Sequence, residues 1–340
     1  MRSPLAHSPD RASRLVPDHT LALELVRVTE AAAIAAGQWV GRGDRSSGKV
    51  AAIDAMHELV MSVPMRGVVV IGAGEKRDTP ALFTGEDVGD GQGPACDVAI
   101  SAVDGTLSMA RDVPNALAVV AVAERGAMYE PPPAFRMEKL AVGGDCADLV
   151  DIDLPVTDNV RAVAKAKGVR AADVTVAVLN RPRHRELVRE IRDAGARVHL
   201  IEGGDIAGAI AAARPESPVD MLLGTGGAAE GVVAAAALSC MGGSLQARLR
   251  PSDSEQREKA LETGHDPDKV RHTGDLVGGE NILFCATGLT ANELLRGVEH
   301  NSDHTTTESI VLCSRPDTAR IVRTEHRHIG RHDDFGLDFG

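Results

Sequence analysis

The second half of the sequence alternates apolar runs typical of strands with runs typical of helices, and this order restricts the fold more than any other feature. Three consecutive strand–helix units predict parallel strands with helices packed against them. This half is therefore expected to be α/β. The predicted strands cover residues 174–179, 198–201 and 221–224, and the predicted helices cover 184–194, 205–213 and 230–240.

The loops after these strands are candidates for binding an anionic small molecule. Ligands of parallel sheets bind outside the carboxyl ends of the strands, so the three loops are expected to line one pocket. Glycines let backbone N–H groups approach a phosphate, and arginines bind its oxygens in pairs. Taken alone, each loop is better explained as an ordinary turn. The loop residues are Arg181, Arg183, Gly203, Gly204, Asp205, Gly224, Gly226 and Gly227.

The first half has a different order of predicted elements. Helical spacing of apolar residues between Leu21 and Trp39 predicts a helix that ends before a GRGDR loop, and a second helix is predicted at 51–60. Residues 67–72 form an apolar run that predicts a buried strand. Further on, strand signals separated by Gly and Pro clusters favour a largely antiparallel sheet. These runs begin at residues 82, 97, 116 and 137.

Composition excludes several classes of function. The formal net charge of −12 argues against broad binding to nucleic acid or to an anionic membrane, because both require a basic surface. With only five Phe, one Tyr and one Trp, the core must be built from Ala, Val, Leu and Ile. A length of 340 residues suits about two domains or subdomains, at roughly 150 residues each.

The cysteines and the N-terminal residues favour a cytoplasmic protein. The five cysteines are far apart, odd in number and without a CxxC pair, which argues against a disulfide framework and against structural zinc. Residues 1–17 have no continuous apolar stretch, so we expect neither a signal peptide nor a membrane span there. Residues 1–18 are predicted to be a flexible extension.

Seven segments form a specific pattern when they are taken together. They are RVTEAAAIAAGQWVGRGD at 27–44, VVVIGAGE at 68–75, DGTLSMA at 104–110, NRPRH at 180–184, GGDIAGAI at 203–210, GTGGAAEGV at 224–232 and FCATGLT at 284–290. In this order and spacing, the chain resembles the class II fructose-1,6-bisphosphatases of bacteria from about residue 20 to about residue 325.

The resemblance implies a fold and a reaction. The fold is the layered α/β sugar-phosphatase fold shared with inositol monophosphatases. It would have an N-terminal subdomain at 19–155 with a mixed or antiparallel sheet, a C-terminal subdomain at 156–325 with strand–helix units, and a tail at 326–340. The reaction is hydrolysis of fructose 1,6-bisphosphate in gluconeogenesis, with Mg²⁺ or Mn²⁺ activating water and neutralising phosphoryl oxygens. A homo-oligomer, commonly a dimer or a tetramer, is also implied.

Three carboxylates that the family pattern would use to bind metal are replaced. Lys49 stands at the acidic position after the GRGD loop, Ala73 at the first glutamate of a GEGE segment, and Ser101 at the aspartate of a DPxxGT segment. The retained acids are Asp44, Glu75, Asp104 and Glu230, of which Asp104 and Glu230 are the predicted metal ligands.

Of these changes, the lysine at position 49 alters the charge of the site most. An ammonium group repels metal cations in a poorly solvated site, unless it replaces one of them. Lysine supplies a point charge but not a Lewis acid with a bound hydroxide. Phosphate binding is therefore expected to persist where catalysis is weakened or lost.

The resemblance also implies contacts with the substrate. Arg181 and Arg183 match the basic pair of an RPRH-type segment, and Asp205 matches the second aspartate of a DGD segment. Arg136 stands where the family has a tyrosine near the substrate. The predicted catalytic residues are Asp104 and Thr106, whose hydroxyl would position the attacking group. The predicted substrate-binding residues are Asp104, Gly105, Thr106, Arg136, Arg181, Arg183, Gly203, Gly204, Asp205 and Gly227.

A shifted alignment would give another interpretation of the missing ligands. In that case nearby acids would bind the metal in their place. Against this, the segment at 40–60 fits the pattern without gaps, and Ser101 keeps a fixed spacing to Asp104. The candidate substitutes are Asp54, Asp78 and Asp97.

The C-terminal segment EHRHIGRHDD contains three histidines, His326, His328 and His332. Imidazole is a common ligand of transition metals. A solvated tail is the better explanation of this segment, because nothing else in it indicates a site.

Two functions follow from these observations. The first is a phosphatase of fructose 1,6-bisphosphate or a related sugar bisphosphate, with one metal ion held by Asp104 and Glu230. The second is a non-catalytic relative that binds a sugar phosphate, or that assembles with an active family member and adjusts its activity. The replaced carboxylates favour weak or absent phosphatase activity.

Overall fold

Two mixed sheets and the helices packed on them organise the fold. The computed structural model describes residues 17, 19–74, 76 and 79–327. The predicted extension at 1–18 lies outside these residues except for Pro17, and the predicted tail lies outside them from His328 onward.

The helices and strands follow the predicted order closely in the second half. The helices are α1 (Ala22–Gly37), α2 (Arg45–Val60), α3 (Thr106–Arg111), α4 (Val156–Lys167), α5 (Arg185–Asp193), α6 (Asp205–Ala213), α7 (Ala228–Cys240), α8 (Ser254–Glu262) and α9 (Thr273–Leu276). The strands are β1 (Arg66–Ile71), β2 (Asp87–Val88), β3 (Ala95–Asp104), β4 (Leu117–Glu124), β5 (Arg136–Val142), β6 (Thr175–Leu179), β7 (Arg197–Ile201), β8 (Met221–Gly227), β9 (Ser244–Leu249), β10 (Arg271–His272), β11 (Leu283–Gly288), β12 (Glu299–His300), β13 (His304–Ser314) and β14 (Asp317–Arg327).

Each sheet combines parallel and antiparallel pairs. The first sheet has the order β12-β13-β11-β4-β3-β1-β2, with β14 also paired to β13, and only β1 and β3 run parallel. The second has the order β10-β9-β5-β8-β6-β7, in which β8, β6 and β7 are parallel. The three strand–helix units therefore bring the carboxyl ends of β6, β7 and β8 to one edge of the second sheet.

The fold has five layers: α1 and α2, the first sheet, α6 and α7, the second sheet, and α4 and α5. Three large apolar clusters fill the spaces between them. One cluster joins α1 and α2 to the first sheet, and another joins the second sheet to α4 and α5. The central cluster holds α6 and α7 between the two sheets. Both helices consist almost entirely of buried residues, because alanines and glycines on every side let the sheets approach from both directions. The layered α/β fold expected from the sequence is confirmed.

Two details differ from the sequence prediction. Leu82 does not begin a strand, since its φ of 55° lies in the left-handed region, and Phe83 forms only an isolated bridge with Gly74. The strand β5 belongs to the second sheet rather than continuing the first. The subdomain boundary between residues 155 and 156 stays a prediction, while sheet membership changes at β5 and again at β11.

None of the helices in the described residues has the length and apolar character needed to cross a membrane.

The end of the described chain is a strand rather than a solvated tail. His326 lies in β14, half-buried, and its Nε2 is 2.9 Å from Oγ1 of Thr307 on β13. Oγ1 of Thr307 also donates to Oε1 of the buried Glu30 of α1, at 3.3 Å. Burial raises the pKa of Glu30 and lowers that of His326. The expectation that His326 belongs to a tail was wrong, because these contacts hold β14 against β13 and α1.

The buried Glu30 predicts a pH-dependent stability. A carboxyl whose pKa is raised on folding contributes fully to stability below its unfolded pKa of 4.5 and loses that contribution as the pH rises towards the folded value. The Glu30→Gln variant lacks this loss. Its free energy of unfolding relative to the unmodified chain should therefore rise with pH above about 4.5, by at most about 1.4 kcal/mol per pH unit. Urea unfolding from pH 4 to pH 8 measures this, with Glu24→Gln on the same helix as control; parallel curves would contradict it.

Candidate active site

The loop at the end of β3 meets the loop at the end of β7 through backbone contacts. Gly105 has φ = 79°, and a Cβ there would lie 2.7 Å from the carbonyl oxygen of Asn115 and 3.3 Å from the amide nitrogen of Gly204. A Cβ at Gly203 would lie 3.2 Å from Cα of Gly105. Since only glycine allows this approach, the predicted residues Asp104, Gly105 and Thr106 are brought beside Gly203 and Gly204.

A buried ion pair lies at the centre of the site. Nζ of Lys139 on β5 is 2.5 Å from Oδ2 of Asp205, the first residue of α6, and the two side chains are 2% and 9% exposed. At the end of β8, a Cβ at Gly226 would lie 2.0 Å from this same Oδ2. A Cβ at Gly227 would lie 1.8 Å from Oε2 of Glu230. The glycines at the end of β8 thus make room for the carboxylates of Asp205 and Glu230.

Asp104, Asp205 and Glu230 share one poorly solvated volume. Burial raises the pKa of Asp104 well above its ordinary range, and the charges of Asp205 and Glu230 raise it further. Burial and the charge of Asp205 likewise raise the pKa of Glu230, whereas Lys139 and Lys49 act in the opposite direction. Oδ2 of Asp104 is buried and has no hydrogen-bond partner among the described residues. The charge of Lys139 acts on Asp104 in the opposite direction, but no described residue bonds this oxygen.

The three replaced positions lie on the first-sheet side of this cluster. Nζ of Lys49, the fifth residue of α2, is 3.5 Å from the carbonyl oxygen of Ala73, and its charge acts on Glu230. Amides of the GRGD loop donate to carbonyls of Met109 and Ala110 in α3, which fixes the start of α2 beside the loop that contains Thr106. Ser101 lies in β3, three residues before Asp104, and is half-buried.

One of the retained acids, Asp44, stands apart from the cluster. Asp44 is the N-cap of α2: its carboxylate accepts hydrogen bonds from the hydroxyl of Ser47, at 2.6 Å, and from the amides of Ser47 and Ser46, at 3.1 and 2.8 Å, and these bonds lower its pKa. Capping the helix accounts for this side chain. Glu75 lies outside the described residues.

Three arginines gather at the carboxyl end of the second sheet. Arg181 donates to the carbonyls of Asn180 and Glu202, at 2.8 and 2.7 Å. Nε of Arg183 donates to the carbonyl of Thr225, at 2.9 Å. Burial lowers the pKa of Arg183, and so do the neighbouring charges of Arg136 and Arg181. Arg136, opposite Gly227 in the β5–β8 register, thus adds a third guanidinium group to the predicted pair.

His184 joins the loops after β6 and β8. Its Nδ1 is 2.7 Å from the carbonyl oxygen of Leu179, and its Nε2 accepts a hydrogen bond from the amide of Thr225 at 2.8 Å. Burial lowers its pKa, and this pattern of one donor and one acceptor requires the neutral ring. The histidine therefore positions the arginine loop and takes no part in proton transfer.

A cavity of about 340 Å³ opens between the second sheet and the helices α4 and α5. Glu138 and Glu190 line it together with Lys139, Arg183, His184 and several apolar side chains. The two carboxylates make it unlike a phosphate site, and Glu138 lies on the opposite face of β5 from Lys139. Arg183 is the one basic side chain that both lines this cavity and belongs to the arginine group.

The sequence matches, over residues 19–326, the family described as bacterial fructose-1,6-bisphosphatase, glpX-encoded. The chain belongs to this family. It is 38% identical over 326 residues to the protein named fructose-1,6-bisphosphatase 1 class 2 of Escherichia coli (strain K12), an alignment that covers 92% of this chain and 96% of that protein. Proteins named fructose-1,6-bisphosphatase class 2 from Escherichia coli O6:H1 and Shigella flexneri match with the same identity and coverage. The resemblance inferred from the motifs is confirmed.

The described residues of this chain do not fit a metal site built from several carboxylates. In the described residues, no group of three His, Cys, Asp or Glu side chains is placed to hold a metal ion. Lys139 already bonds Asp205, and Lys49 approaches from the side where the replaced carboxylates would stand. Asp104 and Glu230 remain as two neighbouring carboxylates, which is fewer than such a site requires.

Lys139 is the residue of the site that motif reasoning missed. The signal was present in the segment MEKLAV, because strand alternation places Lys139 on the same face as the buried Met137 and Ala141. A lysine at the buried position of an apolar strand requires a carboxylate partner.

The buried pair predicts a large loss of stability when one partner is removed. Lys139→Met leaves the Asp205 carboxylate buried without its partner and should lower the free energy of unfolding by about 3–5 kcal/mol. Lys139→Met combined with Asp205→Asn removes that charge and should recover at least about half of the loss. Lys167→Met, which breaks the more exposed pair with Asp220, is the matched control and should cost only about 1 kcal/mol. Equal losses in the two single variants, measured by urea unfolding, would contradict the role of burial.

Proposed function

We propose that this chain binds fructose 1,6-bisphosphate or a related sugar phosphate in the cytoplasm and hydrolyses it weakly or not at all. One observation carries the proposal: Lys49, Ala73 and Ser101 replace carboxylates of the family pattern, on the side of the site where Lys49 approaches Glu230. The family reaction supplies the substrate class, since the relatives are named for fructose 1,6-bisphosphate.

The arginine loops support the binding half of the proposal. Arg181 and Arg183 are held by backbone carbonyls rather than by carboxylates, so their charges remain available to an anion. A guanidinium group binds phosphate oxygens in pairs. Arg136 contributes a further positive charge where the family pattern has a tyrosine.

The carboxylate cluster supports weak or absent hydrolysis. A divalent cation supplies Lewis acidity and an activated water to phosphoryl transfer, and two such ions need several carboxylates. Here Asp205 is already neutralised by Lys139. The hydroxyl of Thr106 would still lie beside the phosphate and orient an attacking group, but orientation alone leaves water a poor nucleophile.

A slow phosphatase with one cation is the second candidate function, and the unpartnered Oδ2 of Asp104 favours it. Asp104 and Glu230, together with the oxygens of a substrate phosphate, could hold one Mg²⁺ or Mn²⁺, because Mg²⁺ is often bound by one or two carboxylates plus phosphate. We include in the proposal a homo-oligomer, a dimer or a tetramer, as the family resemblance implies, and an association with an active family member as the form a regulatory role would take.

Phosphate release tests the two candidates. The natural chain and the triple variant Lys49→Asp, Ala73→Glu, Ser101→Asp would be assayed for phosphate release from fructose 1,6-bisphosphate with Mn²⁺ or Mg²⁺. We expect little or no activity in the natural chain and a gain of about a hundredfold or more in the variant, because a restored metal site contributes several kcal/mol.

The matched control for this assay is the triple amide variant Lys49→Asn, Ala73→Gln, Ser101→Asn, which has similar shapes without the charges. It should show no gain. Metal-dependent release by the natural chain at the rate of the acidic variant would mean that the replaced positions are not metal ligands. A slow rate in the natural chain, abolished by Asp104→Asn, would favour the one-cation phosphatase.

A further inference from the structure

The site contains a buried carboxylate oxygen that lacks a cationic partner. Asp104 is 5% exposed, its Oδ2 has no hydrogen-bond partner among the described residues, and Asp205 and Glu230 lie close to it. Three carboxylates in a volume with little water repel one another strongly. An anionic ligand would add to this repulsion unless the site also contained a cationic side chain that no carboxylate of the protein already bonds.

Lys139 cannot supply that charge to a ligand. Its ammonium group is 2.5 Å from Asp205, its side chain is 2% exposed, and the first turn of α7 covers it at Gly231, where a Cβ would lie 3.3 Å from Cε of Lys139. Lys139 therefore serves the protein's own carboxylates.

Lys49 is placed to supply it. Its side chain is half-buried, and its only hydrogen bond within the described residues is a long one, 3.5 Å, to the carbonyl of Ala73. An ammonium group has three N–H donors, so two of them have no partner in the part of the chain that the structure describes. Its ammonium group lies beside the carbonyl of Ala73 and its charge acts on Glu230, so it is a positive charge on the side of the site where the family pattern has acids.

We propose that the ammonium group of Lys49 takes the place of a divalent cation, so that this site binds a sugar phosphate without any metal ion. The inference rests on the proposed function, which supplies the sugar phosphate as ligand. It goes beyond it, because weak hydrolysis alone would still allow metal-dependent binding. Such a site would bind phosphate without hydrolysing it, since a lysine holds phosphate as a point charge but does not generate hydroxide from water.

Calorimetric titration in the presence of EDTA tests the inference with a readout other than activity. Fructose 1,6-bisphosphate and fructose 6-phosphate would be titrated into the full chain, in EDTA and then in Mg²⁺, with phosphate release followed in parallel. We expect binding in EDTA and a dissociation constant that Mg²⁺ changes less than about twofold. Lys49→Met should weaken binding in EDTA roughly ten- to a hundredfold, as expected for loss of a charged hydrogen bond.

Two further variants sharpen the result. Lys49→Asp should lose binding in EDTA and regain part of it with Mg²⁺, because the carboxylate restores a metal ligand. Lys165→Met, which removes an exposed lysine of α4, is the matched control and should bind like the natural chain. Thermal unfolding of each variant shows whether a loss of binding reflects a loss of folding.

The outcomes separate this inference from the proposed function. Binding by the natural chain only when Mg²⁺ is present would overturn the metal-free site and leave sugar-phosphate binding intact. Unchanged binding by a folded Lys49→Met variant would overturn the role of Lys49. Absence of binding under both conditions would overturn the proposed function itself.

Discussion

The ion pair between Lys139 and Asp205 is the interaction on which the site depends. It joins β5 to the first residue of α6 in a region closed to water, so each charge needs the other. Gly226 has no side chain because the Asp205 carboxylate occupies that space, and Glu230 lies against the next residue. The ammonium group of Lys139 is therefore the positive charge around which the end of β8, the start of α7 and the loop after β3 are arranged.

The balance of charge explains how such a site tolerates the loss of metal ligands. Relative to the family pattern, lysine in place of an acid changes the charge by two, and alanine and serine in place of acids change it by one each. The three changes together raise the charge of the site by four, which is the charge that two divalent cations would carry. The remaining carboxylates thus need fewer bound cations, although Asp104 keeps an oxygen without a partner.

The strand–helix order of residues 174–240 was predictable because apolar runs and glycine-rich strand ends are local signals. The meeting of Arg181, Asp205 and Gly227 followed from parallel strands ending at one edge. The partner of Lys139 was not predictable, since it lies 66 positions away and is fixed only by packing of α6 between two sheets. The backbone conformation of Leu82 was not predictable either, because an apolar residue in the sequence does not indicate the left-handed region.

Under the proposed function the two sheets have different roles, which would let phosphate binding persist where hydrolysis is weak. The arginines lie in loops of the second sheet and are held by carbonyls of Glu202 and Thr225. The replaced positions lie in α2 and in the first-sheet region, and the two sides meet at the contact of Gly105 with Gly203. Because no arginine is held by residues 49, 73 or 101, charge could change on the first side without loosening the phosphate contacts on the second. Under the proposal, Lys49 is the residue of the altered side that acts on the anion.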